Sequence, residues 1–109
     1  MNYKIETIAS FKREAKRLIK KFPSLRAKIE ELGEQLQENP FLGTALKNDF
    51  YKIRLGIRSK GKGKRGGARV ITCVKIVAET VYLVSIYDKS EQSDISDSTL
   101  ENLLNEIPE

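Results

Sequence analysis

Two hydrophobic periods divide this chain. From residue 11 to 36 apolar side chains recur every three or four positions; from residue 50 onward they recur every second one. Phe11, Ala15, Leu18, Ile19 and Phe22 form one stripe of a helix that runs to about Lys21, with Ser10 placed to cap it. Lys12, Arg13, Lys16, Arg17, Lys20 and Lys21 cover the rest of its surface. Pro23-Ser24 breaks this helix and starts another, on which Leu25, Ile29, Leu32 and Leu36 form a second stripe. Asn39-Pro40 ends it, because a residue before proline resists the helical region. So short a turn predicts an antiparallel helical hairpin.

The period of two predicts strands over residues 50–58, 68–77 and 81–88, with a tight connection at 78–80 and a linker at 41–48. Residues 1–8 read as a further short strand, with Tyr3, Ile5 and Thr7 on one side. Near the end, Ser98 and Glu101 have capping-box spacing, and the Ser96–Ser98 cluster is most simply a helix cap. Leu100, Leu103, Leu104 and Ile107 then make a final short amphipathic helix. Strand, two helices, three strands, helix: the order predicts one α+β domain over residues 1–109. Its helices pack on one face of a small antiparallel sheet and leave the other face partly open.

Charge sharpens this picture. Residues 49–77 carry nine positive and one negative side chains, whereas residues 78–109 carry one and eight. A cationic middle implies a surface for phosphates, and an acidic tail either solvates the fold or folds back on it. The chain has no histidine. That excludes histidine-based general bases, the catalytic triads that use histidine, and most zinc sites. No metal or cofactor is expected. The single cysteine, Cys73, sits in an apolar run and reads as a small core residue. No stretch approaches membrane-spanning length, so the expectation is a cytoplasmic protein with no membrane partner.

The strand alternation makes the charge specific. Tyr51, Ile53, Leu55 and Ile57 point one way, and Lys52, Arg54 and Arg58 point the other. If the next strand pairs with this one, Arg69 joins Lys52 and Arg54 on the same face. Grouped cations attract an RNA backbone, and they stabilise the extra negative charge of a phosphate under attack. A lysine crowded by arginines, with no acid among them, is also pushed toward the range of a general base. The same residues read equally as a solvated strand face. Lys60, Lys62, Lys64 and Arg65 lie in a glycine-broken run that is either a soluble hairpin tip or a second set of phosphate contacts. Gly66-Gly67, directly before the third strand, would let the backbone approach RNA closely. Tyr87, Asp88, Lys89 and Glu91 follow at the end of the last strand, where Tyr87 serves as core, as a stacking ring or as a proton donor.

Tyr51-Lys52-Ile53-Arg54-Leu55, the Gly67-Ala68-Arg69-Val70-Ile71 stretch and the run from Val81 through Lys89-Ser90-Glu91-Gln92-Ser93-Asp94-Ile95 resemble RelE-type toxins of bacterial toxin–antitoxin modules, most closely the HigB-like branch. The likeness spans nearly the whole chain. It implies a ribosome-dependent mRNA endonuclease that enters the ribosomal A site and cuts messenger RNA. It also implies a cognate antitoxin, often one with a helix-turn-helix DNA-binding domain, and a toxin–antitoxin hetero-oligomer. By the resemblance, Lys52, Arg54 and Arg69 are the basic catalytic positions, with Tyr87 and Lys89 as substitutes for the proton donor. The founding RelE toxins carry an arginine where this chain has Ser90 and a tyrosine where it has Ser96. Arg58, Lys60, Lys62, Lys64 and Arg65 would hold RNA or ribosome. Two other readings fit the residues: a non-catalytic RNA- or ribosome-binding module, and a ParE-like inhibitor of DNA gyrase, a branch that generally lacks the basic set.

Overall fold

The computed structural model describes residues 2–57 and 67–108. Its elements are β1 (Lys4–Thr7), α1 (Ala9–Lys21), α2 (Leu25–Glu38), β2 (Thr44–Ala45), β3 (Phe50–Leu55), β4 (Ala68–Lys75), β5 (Thr80–Asp88) and α3 (Asp97–Leu104). The five strands form one sheet in the order β1-β5-β4-β3-β2. The α+β class holds, but the sheet is mixed: β1 runs parallel to β5, and the other pairs are antiparallel. Hairpin logic speaks only for strands that follow one another. β1 finds its partner more than 70 residues later, and a short turn no longer dictates its direction.

The helical stripes pack as their periods predict. Phe11 and Leu18 of α1 and Leu25, Leu32 and Leu36 of α2 meet Ile53, Val70, Val81 and Ile86 of the sheet. Each fully buried Leu or Ile contributes about 1.5–3 kcal/mol relative to an exposed one. The opposite face is less open than the pattern suggested. Phe50, Ile71, Cys73 and Val84 carry a second apolar cluster, closed by Leu100, Leu103 and Ile107. Cys73 is fully buried there, as its neighbours implied.

Several ends differ from expectation. Ser10 does not cap α1; Ile8 holds that position, and the Ser10 hydroxyl donates to the Val84 carbonyl at 2.8 Å. The linker contains β2 and a tight turn, in which Asn48 (φ 58°) and Asp49 (φ 65°) both adopt the left-handed conformation. That is the backbone of a type I′ hairpin, and Asn and Asp tolerate it better than most residues. β4 ends at Lys75, so Ile76 and Val77 belong to an exposed turn and not to the strand. On α3 the cap is Ser96, whose Oγ accepts from the Thr99 amide at 3.1 Å. Glu101 does not close a capping box with Ser98; it pairs with Lys47 Nζ at 3.0 Å.

One irregularity matters for the site. β4 and β5 slip register between Ile71 and Thr72: Ile71 opposes Ser85 while Thr72 opposes Leu83, and Val84 is left over. α1 absorbs the resulting β-bulge. Ser10 serves the Val84 carbonyl, and the Glu14 carboxylate accepts from Ser85 Oγ at 2.9 Å and from the Ile86 amide at 3.1 Å. The polar groups of residues 84–86 that the bulge takes out of the ladder thus find partners on the helix, which makes a bulge tolerable inside a sheet.

Candidate functional site

Alternation along β3 and β4 puts Lys52, Arg54 and Arg69 on the face that carries Phe50 and Ile71, away from the helical hairpin. Arg54 stands opposite Arg69, and Arg69 stands opposite Tyr87. The three side chains therefore form a row across three adjacent strands, with Lys52 two residues along β3. The sequence pattern predicted the first two strands of this row. It did not place Tyr87, which reaches this face because of the bulge.

Exposure differs sharply within the row. Arg54 is exposed and Lys52 half-buried, whereas Arg69 keeps 3% and Tyr87 4% of their surface. Arg69 Nη1 donates to its own strand at the Ala68 carbonyl, 3.2 Å away. The Tyr87 hydroxyl is enclosed and has no hydrogen-bond partner among the described residues. Burial pushes its pKa up, the Asp94 carboxylate pushes it further, and Arg69 opposes both. Asp94 acts on this phenol through its charge, since the two groups do not meet the geometry of a hydrogen bond. The phenol is thus a weaker acid than an ordinary tyrosine.

An acid does enter the cationic cluster, contrary to the sequence expectation. Lys52 Nζ lies 3.1 Å from Asp94 Oδ1. The Ile95 amide donates to the same oxygen at 2.8 Å, and together with Lys52 it holds the Asp94 carboxyl below its ordinary range. The premise for Lys52 as a crowded base, cations with no acid among them, no longer holds. No signal in the sequence singles out Asp94 from its acidic neighbours. What was legible is an acidic tail able to fold back, and it does so three times. Glu91 pairs with Arg17 at 2.9 Å and Lys21 at 3.1 Å, Asp94 pairs with Lys52, and Asp97 and Glu101 approach Lys47.

The remaining candidates divide. Lys89 is exposed just past β5; its amide donates to the Gly67 carbonyl at 3.0 Å, and its charge helps to lower Asp94. Glu91 faces α1 and does not join the row. Ser90 is exposed and donates from both amide and hydroxyl to Asp88 Oδ1 at 2.9 and 2.8 Å. A Cβ at Gly67 would collide with the Leu55 carbonyl of the neighbouring strand. Arg58, Lys60, Lys62, Lys64 and Arg65 lie outside the described residues.

The fold has known likenesses. The structure is similar to that of an arginine double mutant of the Escherichia coli toxin RelE in the free state, with a TM-score of 0.60, 17% identity and coverage of 97% of this chain and 94% of that one. It is also similar to the isolated E. coli RelE toxin, with a TM-score of 0.56, 19% identity and coverage of 96% and 99%. At such identities the likeness speaks for the fold alone. The family model described as the RelE toxin of the RelE/RelB toxin–antitoxin system matches residues 3–106. With that match over nearly its full length, the chain belongs to the RelE family, the toxin component of a type II toxin–antitoxin system.

Proposed function

We propose that this toxin is a ribosome-dependent mRNA endonuclease that works without a metal ion. The reading is supported above all by the row of Arg54, Arg69 and Tyr87 across three strands, with Lys52 on the same face. Cations on one side of a phosphodiester and a protonated phenol beside them are what an RNA cleavage without protein nucleophile asks for. The ribose 2′-hydroxyl gives its proton to water as its oxygen attacks the adjacent 3′-phosphate, the bond to the 5′-oxygen of the next nucleotide breaks as that oxygen takes up a proton, and a cyclic phosphate and a 5′-hydroxyl remain. RNA supplies the nucleophile, so no catalytic Ser or Cys is required.

In this reaction Arg54 and Arg69 hold the phosphate and gain contact as charge builds on its oxygens, the situation in which planar guanidinium pairs are strongest. Lys52 adds positive charge on the same face. Tyr87, whose phenol carries its proton at neutral pH as any tyrosine does, supplies the proton that the leaving 5′-oxygen needs; Lys89 is the alternative donor. Arg58, Lys60, Lys62, Lys64 and Arg65 bind ribosome or RNA backbone. The ribosome supplies alignment of the 2′-oxygen with the scissile bond, an orientation effect that so sparse a site lacks. The protein acts in the cytoplasm, where translating ribosomes are, and is silenced there by an antitoxin with a helix-turn-helix DNA-binding domain, in a toxin–antitoxin hetero-oligomer.

The experiment is to incubate the purified protein with naked mRNA and with mRNA on programmed ribosomes, and to analyse the ends. Cleavage confined to ribosomes, with 5′-hydroxyl and cyclic phosphate ends, is expected. Rapid cutting of naked RNA that needs added metal and leaves 5′-phosphates would refute the reading.

A further inference from the structure

The groups assigned to RNA are not free to take it in this structure. Arg69 and Tyr87 keep 3% and 4% of their surface, and Lys52 already holds an anion. That anion comes from the segment after β5, which is fastened to the rest of the fold at its start. At its start the Lys89 amide is tied to the Gly67 carbonyl, and Glu91 grips Arg17 and Lys21 at the end of α1. At its end the Gln92 side-chain amide donates to the Asp94 carbonyl at 3.0 Å and the Ile95 amide to Asp94 Oδ1, which fixes the carboxylate over Lys52. A carboxylate and a phosphate make the same demand of an ammonium: negative oxygens within hydrogen-bond reach. Two anions at one ammonium also repel each other, so a phosphate there is favoured when the carboxylate leaves. The Asp94 side chain is 64% exposed, and exposed pairs of this kind hold weakly, so the position is exchangeable.

We propose that the Asp94 carboxylate, carried by residues 89–95, is a built-in occupant of the phosphate position at Lys52, and that the backbone phosphate of single-stranded RNA displaces it. The inference rests on the reading of this face as the RNA site and names how that site is kept closed. RNA binding then carries the cost of releasing the segment, so the free protein binds RNA more weakly than its exposed cations would allow. Removing the negative charge lifts that cost. Asn at position 94 keeps an oxygen for the Ile95 amide while it gives up the charge, so the segment retains its local shape.

The test measures affinity of the full-length protein for a 2′-O-methylated single-stranded oligoribonucleotide, which cannot be cleaved, at low salt. Asp94→Asn should bind about fivefold more tightly than the parent, the scale of one removed like-charge contact near the surface. Asp97→Asn, which removes an equal charge beside Lys47, should change affinity far less. In a Lys52→Gln background the gain from Asp94→Asn should vanish. Equal or weaker binding by Asp94→Asn, or the same gain with Gln at position 52, overturns the proposal. Because the probe is inert and no ribosome is present, this outcome is independent of cleavage. A parent that fails to cut ribosomal mRNA while Asp94→Asn still tightens binding through Lys52 would sink the catalytic reading and leave the displaced carboxylate standing.

Discussion

Arg69 on β4 and Tyr87 on β5 stand directly opposite one another, and they do so because β5 holds one residue too many. Val81 and Leu83 face the helical hairpin, and Tyr82 and Val84 the other side. Strict alternation from there would send Ile86 to the α3 side and Tyr87 into the helical core. The bulge at Val84 reverses the phase: Ile86 packs in the helical core, and Tyr87 turns toward Arg69. A sheet irregularity thus decides which side chain completes the row.

The phase reversal depends on α1. Glu14→Ala should leave the Ser85 hydroxyl and the Ile86 amide without their acceptor in a buried setting, a destabilisation of about 1–3 kcal/mol. Urea unfolding measures it. Glu14→Gln, which keeps an oxygen there, should recover much of the difference. A Glu14→Ala protein as stable as the parent would mean that the bulge is held by the strands themselves.

Tyr87→Phe separates stability from chemistry. The hydroxyl has no hydrogen-bond partner among the described residues, so its removal should leave thermal stability unchanged or slightly raised. Cleavage on the ribosome should nevertheless fall, by about 10²–10⁴-fold if this phenol is the proton donor. Full activity in Tyr87→Phe would pass that role to Lys89.

Much of this arrangement was legible in the sequence, and the rest was hidden for identifiable reasons. Lys52, Arg54 and Arg69 share a face because β3 and β4 alternate without interruption, and a period of two carries over any regular strand. The parallel partner of β1 is a long-range pairing that no local pattern encodes. Tyr87 was ambiguous because the bulge has no mark in the sequence of β5; its supports, Ser10 and Glu14, lie on another element and look like a cap and a solvent-facing acid. Asp94 was hidden for a similar reason: its significance comes from its pairing with Lys52, 42 positions away.

Acid should loosen the segment that covers the site. Asp94 is held below its ordinary range first by the Ile95 amide and then by Lys52, and Glu91 by Arg17 and then Lys21. A carboxyl whose pKa is lowered by folding contributes its stabilisation above its unfolded value, and that contribution disappears as pH falls through the folded one. Docking of residues 89–95 should therefore be complete at neutral pH and fail below the ordinary carboxylate range. Carboxyl-carbon NMR titration tests this: both midpoints should lie low, and that of Asp94 should rise part of the way in Lys52→Gln. An Asp94 midpoint indifferent to that substitution would contradict the ion pair.

Lys60, Lys62, Lys64 and Arg65, changed together to Gln, should weaken ribosome association without altering the fold. Every cation that meets a phosphate releases counterions, so neutralising these four should flatten the salt dependence as well as lower the affinity. Unchanged affinity at low salt would mark the run as a solubilising loop.

Inducing the protein in cells and mapping new mRNA 5′ ends, beside Arg54→Ala, asks whether this face cuts messenger RNA. Arg54 is the exposed member of the row, and its truncation should change stability by no more than about 0.5 kcal/mol. Removing a guanidinium that holds phosphate in the transition state should instead cost about 2–4 kcal/mol, a rate fall of roughly two to three orders of magnitude. The parent should give abundant new 5′-hydroxyl ends within translated reading frames, and a folded Arg54→Ala almost none. New ends at the parental level in Arg54→Ala, or none in the parent while growth still stops, would contradict cleavage by this face.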